Sequence, residues 1–164
     1  MNHVVIVMGV SGCGKTSVAQ ALAEKHQWRC LDADDFHPPA NVEKMRAGMP
    51  LNDDDRWPWL EKLNSMLRHS AAKNENVVLA CSALKEVYRE RLSQRIARAK
   101  VSIVHLEGSF ELIEARMKVR QHQYMPSTLL KSQFEALQKP LNAISVAIDI
   151  SLQSQIEKID QALI

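Results

Sequence analysis

The side chains best suited by type and spacing to do chemistry lie near the start of the chain. Residues Gly9 to Thr16 read Gly-Val-Ser-Gly-Cys-Gly-Lys-Thr and match G-x-x-x-x-G-K-[ST] at every fixed position. In such a loop Gly9, Val10, Ser11, Gly12, Cys13 and Gly14 turn backbone N–H groups toward phosphate oxygens, and glycine keeps Cβ atoms out of the way. A helix opening at Lys15 adds the positive end of its dipole. Lys15 is expected to reach the β- and γ-phosphates of ATP, and the Thr16 hydroxyl to ligate Mg²⁺. The chemistry is binding of a nucleoside triphosphate. Cys13 reads either as a small side chain at a variable position or as a thiol activated by the helix N-terminus; the second reading predicts inactivation by thiol reagents and protection by ATP.

A second centre follows at Leu31-Asp32-Ala33-Asp34-Asp35-Phe36-His37-Pro38. In an extended segment residues two apart point the same way, so Asp32 and Asp34 are expected to face one site. Asp32 then steers the metal and Asp34 accepts a proton from an attacking hydroxyl, while Asp35 suits the cap of a following helix. Arg116 and Arg120, four apart, share one helix face ahead of the polar segment Gln121 to Pro126. They read either as charges for a phosphoryl group or as partners of Glu111 and Glu114.

These groups need a frame. Valine- and isoleucine-rich runs at Val4 to Met8, Arg29 to Leu31, Val77 to Cys81, Val101 to Leu106 and Ile144 to Ile150 are continuous rather than alternating, as in strands covered on both faces. Between them lie helical stripes: Val18, Leu22 and Ala23; Leu60, Leu63 and Leu67, with Pro58 in a first turn; Leu84, Tyr88, Leu92 and Ile96; Ile113 and Met117; Leu130, Phe134 and Leu137; and Leu152, Ile156, Ile159 and Leu163. The alternation predicts one α/β domain over residues 1–164, with a five-stranded parallel sheet flanked by helices on both faces. Ligands of such sheets bind at the carboxyl ends of the strands, where Gly9, Asp32, Ser82 and Glu107 fall.

Composition narrows the classes further. The chain has 164 residues, 46% of them hydrophobic and 24% charged, and a net charge of +2, which points to a globular domain with no nucleic-acid or membrane partner. Three scattered cysteines make neither a disulfide framework nor a zinc site and suit a reducing cytoplasm. The first residues, Met-Asn-His-Val-Val-Ile-Val-Met, carry no basic region, so no secretory leader is expected. Charge is uneven: eight acidic and three basic side chains run from Leu31 to Glu61, and nine basic and five acidic from Lys85 to Arg120. No N-K-x-D guanine signature is present, which argues against a GTPase switch.

The stretch from Asp32 to Leu60, DADDFHPPANVEKMRAGMPLNDDDRWPWL, resembles the gluconokinases, whose pattern is D-G-D-x-x-H-P-x-x-N-x-x-K-M-x-x-G-x-P-L-x-D-x-D-R-x-P-W-L. Cys81-Ser82-Ala83-Leu84-Lys85 with Tyr88-Arg89, and Leu130 to Glu135 through Pro140, extend the likeness over most of the chain. Shikimate kinases would carry a glycine run where Cys81-Ser82-Ala83 stands. The resemblance implies the P-loop kinase fold, ATP-dependent phosphorylation of D-gluconate at its terminal hydroxyl with Mg²⁺, a substrate-binding segment near 33–60, a lid near 116–128 whose arginines Arg116 and Arg120 meet the nucleotide, and a homodimer. Gluconate is a small polyhydroxy anion, so its site needs a cation and hydroxyl partners. Arg56 and Lys85 are candidates for the cation, His37 and Asp34 for the hydroxyls; Arg56 could equally pair with Asp53 or Asp54. Three residues depart from the pattern: Ala33 replaces a glycine and is expected to crowd the pocket slightly, Cys13 a serine, and Gln123 a histidine. A kinase for another sugar acid or polyol, and a non-catalytic nucleotide-binding regulator on the same fold, are the competing expectations.

Overall fold

The computed structural model describes residues 3–119 and 127–163. Five strands, β1 (Val4–Met8), β2 (Arg29–Asp32), β3 (Val77–Ala80), β4 (Val101–Glu107) and β5 (Ile144–Ala147), form one parallel sheet in the order β2-β3-β1-β4-β5. Seven helices are interleaved among the described residues: α1 (Lys15–His26), α2 (Pro39–Arg46), α3 (Asp53–Ala72), α4 (Glu86–Ser93), α5 (Phe110–Val119), α6 (Ser127–Ala136) and α7 (Leu152–Leu163).

The continuous apolar strands have a physical reason. Val5 and Val7 of β1 enter a core with Val18 and Leu22 of α1, Ile113 of α5 and Ile159 of α7. Val4, Ile6 and Met8, pointing the other way, pack with Leu60, Leu63 and Leu67 of α3 and Leu92 of α4. The inner strands β1 and β3 are thus covered on both faces and wholly buried, while the edge strands β2 and β5 expose alternate or terminal positions. The carboxyl end of β1 delivers the phosphate loop between the two helical layers.

Helix boundaries depart from the periodicity. Helix α3 starts at Asp53, so Pro58 lies inside it rather than in its first turn. Proline there leaves the Asp54 carbonyl without its helical donor. The helix is anchored ahead of that break: the Asn52 side chain accepts from Asp55 N at 2.8 Å and the Asp55 carboxylate accepts from Asn52 N at 2.9 Å, a reciprocal capping box. Helix α2, which no apolar stripe marks, buries only Asn41 among its residues. Helix α4 is shorter than the Leu84 to Ile96 stripe, and both of those residues pack from flanking loops. Residues Ala33–Phe36 form a 3-10 turn.

Candidate active site

The carboxyl ends of β1, β2 and β3 open onto one cleft of about 1560 Å³. The phosphate loop forms its floor. Gly14 precedes α1 with φ 97° and no side-chain cap, so the first N–H groups of α1 have no capping acceptor and remain available to an anion. Gly12, at φ 81°, is required for a second reason: a Cβ there would lie 2.8 Å from Met117 Cγ and 3.2 Å from Ile113 Cγ2 of α5. Lys15 Nζ donates to the Val10 carbonyl at 3.0 Å, which parks the ammonium across the loop. Ser11, Gly12, Gly14, Lys15 and Thr16 face the cleft. Val10 and Cys13 do not: both side chains are buried in the core behind the loop. With Cys13 only 2% exposed, the ATP-protected reactive thiol is not supported, and Cys30 is the exposed cysteine.

Thr16 Oγ1 donates to Asp32 Oδ2 at 2.9 Å, joining α1 to the end of β2. The other Asp32 oxygen accepts from Asp34 N at 3.0 Å and caps the 3-10 turn, a task that the sequence pattern suggests for Asp35. Asp32 and Asp34 both line the cleft, but the turn, not an extended segment, brings them there. Two hard oxygen donors side by side, hydroxyl and carboxylate, suit Mg²⁺. Among the described residues there is no group of three or more His, Cys, Asp or Glu side chains that could cage a metal ion, so any ion at this pair needs further ligands from phosphate or water.

The Asp34 side chain is 81% exposed, on the wall beside the loop. The His37 ring close to it holds its carboxyl below the ordinary carboxylate range; burial opposes this and the Lys15 charge reinforces it. His37 itself is nearly enclosed, with a side chain 3% exposed. It stacks on Trp59 with ring centroids 4.0 Å apart, and Trp59 Nε1 donates to the Ala33 carbonyl at 2.7 Å. His37 therefore supports Asp34 more than it opens to a ligand. Ala33 is buried against α3 and does not line the cleft, so the expected crowding is absent.

The far wall collects charge around one tyrosine. Tyr88 Oη accepts from Arg56 Nη1 at 3.2 Å and donates to the Asp53 carboxylate. Arg56 and Lys85 lie 5.1 and 5.7 Å from the centre of the Tyr88 ring, and Lys85 Nζ is 3.7 Å from Asp53 Oδ1. Burial, with the Asp53 carboxylate next to it, pushes the Tyr88 hydroxyl up to about 12. The Tyr88 hydrogen bond, and the charges of Lys85 and Arg56, hold the Asp53 carboxyl down. Arg56 donates to Tyr88 and to the Leu51 carbonyl, which aims it along the cleft wall.

Two further residues, given no role by the sequence, shape the site. Gln133 of α6 accepts from Ser11 N at 2.7 Å and donates to Ser11 Oγ at 3.0 Å, pinning the loop apex. Buried Arg89 donates to the Ala83, Leu84 and Gln138 carbonyls and so holds the loop before Lys85, where Ala83 has φ 45°. Both stand in the Tyr88-Arg89 and Leu130 to Glu135 blocks, the only signal that could have found them. Arg116 stands apart from the cleft: it donates to the Ile148 carbonyl at 2.8 Å, beyond β5. Arg120 and Gln123, with most of the expected lid, lie outside the described residues.

Known proteins resemble the chain in sequence and in fold. A family model described as an AAA domain matches residues 4–144. A Rattus norvegicus protein named "Probable gluconokinase" is 44% identical over 168 aligned positions, 91% of each chain. The thermoresistant gluconokinase of Escherichia coli (strain K12) is 42% identical over 139 positions, covering 85% of this chain and 78% of that one. The chain belongs to the gluconokinases. A crystal structure of a gluconokinase from Sinorhizobium meliloti 1021 superposes with a TM-score of 0.88 at 39% identity, over 98% of this chain and 91% of the other. The superposition with that gluconokinase covers nearly the whole chain, the sheet included.

Proposed function

We propose that the protein transfers the γ-phosphoryl group of ATP to the terminal hydroxyl of D-gluconate, giving 6-phospho-D-gluconate. One observation carries the reading: a single cleft joins a phosphate loop, an ionised carboxylate beside it at Asp34, and a cationic wall at Arg56 and Lys85. An acid with a hydroxyl chain fits between them, its carboxylate on the wall and its far end toward Asp34.

The steps follow from the side chains. Lys15 exchanges the Val10 carbonyl for the β- and γ-phosphates, while the N–H groups of Gly12, Gly14, Lys15 and Thr16 hold the phosphate oxygens; those of Gly9, Ser11 and Cys13 already donate to Ser82, Gln133 and Val10. Thr16 and Asp32 would hold Mg²⁺, which when bound neutralises phosphate charge. Arg56 and Lys85 bind the gluconate carboxylate, and Asp34 takes the proton of the attacking hydroxyl. Its carboxyl, held below the ordinary carboxylate range, is ionised at neutral pH, and its exposed side chain leaves lone pairs open to the hydroxyl proton. Arg116 and Arg120 supply charge to the nucleotide side, Arg116 after leaving the Ile148 carbonyl. A cytoplasmic homodimer completes the reading. Three free cysteines suit that compartment, and no helix among the described residues is long and apolar enough to cross a membrane.

The position of the new phosphate tests this. Phosphorus NMR of the product should show an ester coupled to the terminal methylene protons of gluconate. A phosphate on any secondary hydroxyl would contradict an orientation with the substrate carboxylate on the Arg56–Lys85 wall and the far hydroxyl at Asp34.

A further inference from the structure

Asn41 stands four residues after His37, buried behind the cleft wall. Its Nδ2 donates to the Asp55 carbonyl of α3 at 2.9 Å. A carbonyl can be met only by the NH₂ end of the amide, which fixes how Asn41 is turned. The same Nδ2 lies 3.3 Å from His37 Nδ1. An amide NH₂ has no lone pair to offer, so Nδ1 must be the acceptor and carry no proton. The proton of the neutral ring then sits on Nε2, which lies 3.6 Å from Asp34 Oδ1. Rotation of the exposed Asp34 side chain closes that distance. Stacking on Trp59 with an 18° tilt and near-complete enclosure fix the plane of the ring, and the contacts of Nδ1 with Asn41 and of Nε2 toward Asp34 fix its orientation within that plane.

We propose that Asn41 is a positioning residue for phosphoryl transfer: it locks His37 in the Nε2–H tautomer, so that the ring presents a donor to the Asp34 carboxylate. The proposal rests on the reading of Asp34 as proton acceptor. One Asp34 oxygen is then occupied by the ring N–H, and the other is left with a defined orientation toward the cleft. The opposite tautomer would set a lone pair against the carboxylate and turn it away. Lys15 and Asp32 face Asp34 from α1 and β2, and the Lys44–Asp55 ion pair, at 2.6 Å, braces the elements around Asn41. This role accounts for the four-residue spacing of His37 and Asn41, which the phosphate and carboxylate chemistry leaves unexplained.

The test begins on the unaltered protein. Long-range proton–nitrogen NMR of ¹⁵N-labelled protein, with His37 assigned by its loss in His37→Gln, should show a bare Nδ1 and a protonated Nε2. In Asn41→Asp the side chain offers only acceptors, so Nδ1 should become protonated. In that variant kcat should fall ~10-fold or more while the KM values for gluconate and ATP move less than about threefold. A proton on Nδ1 in the unaltered protein would overturn the proposal, as would a tautomer change that leaves kcat intact. Failure of the base reading is separately visible: Asp34→Asn would then keep its kcat, whatever the state of His37.

Discussion

Replacing Tyr88 by phenylalanine removes one oxygen from the wall that is proposed to receive the substrate carboxylate. The ring stays, and with it the edge contact to Trp57 at 5.9 Å and the packing of Arg56 and Lys85 over its face. Two hydrogen bonds to charged partners are lost, one from Arg56 and one to Asp53. Bonds of this kind contribute about 1.5–3 kcal/mol each, and because both partners can turn toward cleft water a combined loss of about 2 kcal/mol is expected. If most of that loss falls on the orientation of Arg56, KM for gluconate rises about 10- to 30-fold. KM for ATP and kcat should change less than about twofold, because Tyr88 touches neither the phosphate loop nor Asp34. The remainder lowers the melting temperature by roughly 2–4 °C per kcal/mol for a chain of this size. Initial rates over a grid of gluconate and ATP concentrations, with a thermal melt alongside, separate the two effects. An unchanged gluconate KM, or equal rises for both substrates, would refute the assignment of this wall.

Asp34→Asn should lower kcat about 10²- to 10⁴-fold with ATP binding retained, as measured by single-turnover kinetics and nucleotide titration. Asn52→Ala removes half of the capping box that starts α3 and should cost about 1 kcal/mol of stability, read as a lower denaturation midpoint with an unchanged slope. Partial burial alone would raise the Asp160 carboxyl, but hydrogen bonds from Lys25 and His26, with their charges, hold it below the ordinary range. A depressed carboxyl stabilises the fold above its unfolded pKa and loses that contribution as pH falls through the folded value. Asp160→Asn should therefore weaken the protein at neutral pH and flatten its acid unfolding between about pH 5 and the folded value, followed by circular dichroism.

The legible parts of this molecule are those in which local sequence and final geometry coincide. The phosphate loop is one, since its residues are adjacent in the chain and their spacing is their geometry. The inner strands β1 and β3 are another, because burial on both faces leaves the runs Val4 to Met8 and Val77 to Ala80 without a polar position. The substrate side is legible only in part. Arg56, Lys85 and Asp34 stand out by charge, but the Ala33–Phe36 turn replaces the extended segment expected to align Asp32 with Asp34. Pro58 obscures the start of α3, and the capping box ahead of it is the better guide. Gln133 cannot be linked to Ser11 across 122 positions of chain, nor Arg116 to Ile148, because such pairings arise only when the sheet order brings remote segments together. Cys13 is ambiguous in the sequence for a related reason: its place in the loop is fixed locally, but its inward direction is set by the core of α5 and β4.

One cleft that selects a sugar acid and phosphorylates its far end is the central claim. Its most direct test compares kcat/KM for D-gluconate, for sorbitol, which keeps the hydroxyl chain without the carboxylate, and for other sugar acids, with MgATP and ADP release as the readout. Gluconate is predicted to be the best substrate and sorbitol at least about 100-fold poorer, since a cationic wall left without its anion costs at least that much. Turnover of sorbitol or a different acid with gluconate inert would contradict it.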